Sequence, residues 1–131
     1  MFLNLLPEEN KKDFMILANS IMMADGVQAE EELSNIDAYC REMNIEKEEY
    51  KTEMLDDSVA SISSLSFSIK KAVYLELYAL AVSDNDFDDS ERELLKRFKN
   101  AFEISDTDED NIREVCDEYI TVCNKMNSIL M

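Results

Sequence analysis

Two acidic segments of this 131-residue chain carry the side chains whose types and spacing suit chemistry. In the first, Asp25 is followed seven residues later by Glu32; in the second, Asp84 is followed at the same spacing by Glu91. Carboxylates are hard oxygen donors, and a divalent cation such as Ca²⁺ takes about six to eight oxygens at about 2.3–2.6 Å. One such turn cannot supply that many. Asp25, Glu32, Asp84 and Glu91 together could hold Ca²⁺ or Mg²⁺, with waters or carbonyls completing the shell, if the fold brings the two turns together.

A plainer reading stands beside it. Asp88 followed by Glu91 has the form of a capping box, with Asp88 as the N-cap. Acids at a helix start also gain about 0.3–1 kcal/mol from the helix dipole without any ligand. In the first segment Ala29 occupies the cap position, so Glu32 has no such explanation. An EF-hand is excluded. Asp84, Asp86 and Asp88 fit the first, third and fifth loop positions, but Asp89 replaces the required Gly and Leu95 the bidentate Glu.

Elsewhere the chemistry is sparse. The chain has no His, no Gly-rich phosphate loop, and no Ser or Cys with a base beside it, so no enzyme activity is expected. Glu76 is the lone charge in an apolar stretch, expected to reach the rim or to meet a Lys or Arg. It lies about 12 Å along a helix from Asp84, too far to share one ion. Cys40, Cys116 and Cys123 are an odd number, and Cys116 and Cys123 lie about 10.5 Å apart along a helix, too far for a disulfide, which suggests core thiols in a reducing, cytoplasmic setting. The eight methionines suit adaptable packing, or a groove for a partner.

The balance of 30 acids against 13 bases gives a net charge of −17. Such a surface repels nucleic acid and anionic membranes, and attracts cations or a basic protein partner. The apolar runs at residues 1–6 and 72–82 are too short to span a bilayer, so no membrane insertion is expected.

One Gly and one Pro leave little material for hairpins, which points to an all-α, single helical domain. Phe14, Leu17, Ala18, Ile21 and Met22 recur at helical spacing after Pro7, and Asp25-Gly26 stops that helix. A second helix is predicted over 29–43, with Leu33, Ile36, Tyr39, Cys40 and Met43 inward and Asn44 as its stop. A shorter helix is predicted from Glu46 through Tyr50, Met54 and Leu55, then a serine-rich joint over 58–68 with a short helix at 59–62. Ser66 or Ser68 caps a buried central helix. Leu94, Leu95, Phe98 and Phe102 line the next. Ser105 or Thr107 caps a closing helix over about 106–128, whose stripe of Ile112, Val115, Cys116, Tyr119, Ile120, Cys123, Met126 and Leu130 is expected to close the bundle.

The acidic segments belong to a longer internal match. At a constant offset of 59, Lys11 and Lys12 align with Lys70 and Lys71, Phe14 with Val73, Ile21 with Leu80, Tyr39 with Phe98, Met43 with Phe102, and Ile45 with Ile104. The run is ungapped from Lys11 to Ile45, so two helix–turn–helix units, about 11–45 and 70–104, are expected to form one bundle of about six to eight helices.

With its turns Ala24-Asp25-Gly26…Glu32 and Ser83-Asp84-Asn85…Glu91, and its helix-ending segments Met43-Asn44-Ile45 and Phe102-Glu103-Ile104-Ser105, the chain resembles the tellurite-resistance TerB and TerB-like domains. The likeness covers about residues 11 to 125. It departs at Asn85, where the family usually has Gly, and at Gln28, which faces Phe87 in the other copy. The resemblance implies a helical domain of two such units, linked to metal binding and stress response. The alternative function is a non-catalytic interaction or scaffold domain whose acids are solvation and helix caps.

Overall fold

The computed structural model describes residues 1–24, 30–82 and 88–131, and their side chains except those of 30–33 and 52. Among these residues there are six α-helices and no strand. They are α1 (Lys11–Met22), α2 (Glu30–Met43), α3 (Leu55–Ser63), α4 (Phe67–Val82), α5 (Asp89–Ala101) and α6 (Asp106–Leu130). Single 3₁₀ turns precede α1 at Glu8–Asn10 and α3 at Thr52–Met54, and another lies at Leu3–Leu5. The all-α class and a helix number within six to eight agree with the sequence.

Two helices form the centre. In α1, Phe14, Met15, Ile16, Leu17 and Ala18 are consecutive and all buried, so the helix is covered on every side, chiefly by α3 and α4. In α4, Val73, Tyr74, Leu77, Tyr78, Leu80 and Ala81 are likewise buried. Each large apolar side chain so placed contributes about 1.5–3 kcal/mol relative to exposure. The central helix expected over 72–82 is therefore one of a pair.

The helix ends follow local chemistry. Asp88 accepts the Glu91 N–H at 3.0 Å to start α5, and Ser105 accepts the Asp108 N–H at 3.0 Å to start α6. At the close of α2, Asn44 has φ 56° and the Ile45 N–H reaches the Cys40 carbonyl at 3.0 Å. At the close of α5, Glu103 has φ 58° and the Ile104 N–H reaches the Lys99 carbonyl at 3.0 Å. Both are Schellman-type ends with a left-handed residue after the helix. They are the two positive-φ positions among the described residues, and they are 59 apart.

Two expectations are corrected. Residues 46–50 are not helical, and α3 begins only at Leu55. The reason is Tyr50, which is buried, with its carbonyl accepting from Asn19 Nδ2 at 2.7 Å and its hydroxyl 3.8 Å from Cys40 Sγ. Drawing that ring and carbonyl onto α1 and α2 keeps these residues out of a helix. The second correction concerns α6. Ile112 and Cys116 are buried, but Val115, Tyr119, Met126 and Leu130 are exposed, as is every residue from 124 onward. Only the first half of α6 closes the bundle.

Candidate functional site

Of the four carboxylates expected to hold a cation, Asp25, Asp84 and the side chain of Glu32 lie outside the described residues. Glu91 sits in the first turn of α5 and is 5% exposed, beside the Asp88 carboxylate that caps the helix. One Asp88 oxygen is thus engaged by a backbone N–H. Two carboxylates fall well short of the six to eight oxygens that Ca²⁺ takes. Among the described residues, no group of three or more His, Cys, Asp and Glu could hold a metal ion.

The structure assembles a different site around Glu76. On the apolar helix α4 this residue is 7% exposed, and among the described residues it pairs with neither Lys nor Arg. Its Oε1 instead accepts from the Met1 ammonium at 2.7 Å and from the Phe2 N–H at 2.8 Å. Glu42, from α2, completes the clamp: it pairs with the same ammonium and accepts the Leu3 N–H at 3.0 Å. Burial alone would lower the ammonium pKa, but its hydrogen bonds to Glu42 and Glu76 outweigh that and raise it. Leu3, 1% exposed, is thereby fixed in the core.

Beside this clamp lies a mostly apolar cleft of about 400 Å³, bordered by Phe2, Tyr39, Leu80, Val115, Cys116 and Tyr119. Burial, then the charges of Glu76 and Glu42, raise the Tyr39 phenol. Burial, then Asp117 and Glu76, push the Cys116 thiol up to about 11. A thiol so shifted stays protonated at neutral pH and is a poor nucleophile. What the cleft offers is apolar surface with a wet edge.

A second cleft, of about 650 Å³, gathers Arg92, Lys96, Lys99 and Arg113 beside Tyr74 and Tyr78. Lys99 pairs with Asp106 and Glu109, Arg113 with Glu109 and Asp110, and the Tyr74 hydroxyl donates to Glu109 at 2.7 Å. Glu109, with Asp106 and Asp110, thus offsets the charges of Lys99 and Arg113 and ties α6 to α4 and α5.

Sequence reasoning singled out Glu76 by its isolation but named a different kind of partner, and it missed Glu42. The signal for Glu42 was absent because acid is common on α2, and only the return of residues 1–3 sets it apart. No described helix is long and apolar enough to cross a membrane. Compared with family models, curated proteins and solved structures, the chain matches none, so the resemblance to TerB-like domains rests on the motifs quoted above.

Proposed function

We propose that this chain is a non-catalytic interaction module that presents the outer half of α6. The observation that carries this reading is the apolar face of that half, where Val122, Met126, Ile129 and Leu130 are all more than half exposed. Scattered apolar residues are ordinary on a surface, but a continuous face on one projecting helix is a mark of docking. All 30 acids precede residue 119, so this face lies on a stretch that carries no acid.

A joint Val122→Ser, Met126→Ser and Ile129→Ser variant tests it. The expected outcome is an unchanged melting temperature with loss of neutral apolar dye binding that the dilute wild type shows. A melting temperature lowered by about 10 °C or more would place these residues in the chain's own core and overturn the reading.

The TerB-like resemblance supplies a second reading: a stress-response or tellurite-resistance role in which Asp25, Glu32, Asp84 and Glu91 hold Ca²⁺ or Mg²⁺. Glu91, the one member of that set whose side chain is described, is buried at the start of α5. Thermal melting with Ca²⁺, Mg²⁺ or Mn²⁺ is expected to show stabilisation that Asp25→Asn and Asp84→Asn remove. A ligand at about a hundred times its Kd adds about 2.7 kcal/mol, so an unchanged melt in millimolar metal contradicts the cation site.

A further inference from the structure

The exposed apolar residues of α6 are not merely numerous; they are periodic. Val115, Tyr119, Val122, Met126 and Ile129 follow one another at spacings of four, three, four and three. Their exposures are 54%, 52%, 51%, 51% and 82%. That is the a/d spacing of a helix seam built to receive another helix. The helix runs unbroken to Leu130 although residues 124–130 are exposed throughout. Isolated helical ends are marginal in water unless an apolar face is packed.

Charge selects the partner. Residues 106–118 carry seven acids and one base, Arg113, whereas residues 119–131 carry one charged side chain, Lys125. A parallel pairing of two copies would set seven acids beside seven. An antiparallel pairing sets the acidic half of each helix against the other's acid-free half. In the register that stacks Val115 on the second copy's Met126, and Tyr119 on its Val122, the flanking positions bring Glu118 opposite Lys125. Twofold symmetry makes that pair twice. Shifting the pairing one heptad toward the C-terminus keeps four apolar layers but sets Lys125 of each copy opposite that of the other, and shifting it the other way runs the seam into buried Ile112.

We infer that α6 is a self-pairing surface: a second copy of this chain lies antiparallel along the Val115–Met126 seam, with Glu118 of each copy facing Lys125 of the other. The pairing rests on the interaction-module reading and names its partner. Val115 and Tyr119 also border the 400 Å³ cleft, so the incoming helix end covers apolar surface at its mouth. Four apolar layers between Val115 and Met126 are few, so monomer and dimer exchange.

Sedimentation equilibrium of the full chain tests this. The weight-average mass is expected to climb from 15.2 kDa toward twice that value as concentration rises from about 1 µM to about 1 mM. Glu118→Lys and Lys125→Glu, both at exposed positions, are each expected to weaken association about tenfold, since each replaces two attractions with two repulsions. The double variant, with the charges exchanged, is expected to restore it. A constant 15.2 kDa, or a double variant no better than the single ones, overturns the pairing. A monomer that still binds neutral dye through Val122, Met126 and Ile129 overturns self-pairing while leaving the interaction reading intact. Loss of both signals removes the two together.

Discussion

Glu76 shows how one residue can be conspicuous in a sequence and still be misassigned. Its partners are the Met1 ammonium and the Phe2 N–H, two donors brought from the far end of the chain. A charge-assisted hydrogen bond contributes more than a neutral one, and a buried carboxylate without its donors is costly. Glu76→Gln keeps the shape and removes the charge. It is expected to lower stability by about 1–2 kcal/mol, a discount reflecting the half-exposed ammonium, and to lower the melting temperature by about 4–8 °C. Glu42→Gln is expected to cost less, because that side chain is more exposed. Equal effects in the two melts would contradict the assignment of Glu76 as the principal anchor.

At the scale of elements, the ends of α2 and α5 use the same device with different residues. Asn tolerates the left-handed region better than other non-glycine residues, whereas Glu103 bears the full clash of its Cβ with the backbone. Glu103→Gly is therefore expected to stabilise the protein by about 0.5–1 kcal/mol, and Asn44→Gly by less. Chemical denaturation at constant m-value checks both. A loss of stability in Glu103→Gly would mean that the Glu103 side chain contributes more than its backbone strain costs. The α6 helix carries the same lesson about local signals. Its apolar period was legible and Ser105 was one of two candidate caps, but the period alone does not say which half faces the core.

At the scale of the whole molecule, a net charge of −17 opposes compaction. Ion pairs such as Lys12–Glu48 and Lys47–Asp37 join exposed groups, and such pairs contribute little each. Screening should therefore help more than it harms. Raising NaCl from about 20 mM to about 0.5 M shortens the screening length from about 20 Å to about 4 Å, and a rise of several degrees in melting temperature is expected. A flat or falling melt would mean that specific ion pairs, such as those around Glu109, outweigh the general repulsion.

The sequence by itself determined the elements and most of the core. Scarcity of Gly and Pro dictated helices; the three-to-four-residue recurrence of Phe14, Leu17, Ala18 and Ile21 marked a buried face; Asp88 and Ser105 marked caps. These are local properties, fixed by neighbours within a turn or two of chain. Only the tertiary structure decided what those elements meet. It placed Tyr50 against α1 and α2 at the expense of a helix, brought Met1 to Glu76 across 75 positions of sequence, and ended the bundle halfway along α6. Such choices depend on which distant surface covers each group most favourably, and the residues within a turn or two of it do not specify that. The second acidic segment belongs to both levels. The sequence supplied its carboxylates, and the fold shows Glu91 buried at a helix start with Asp88 as its cap.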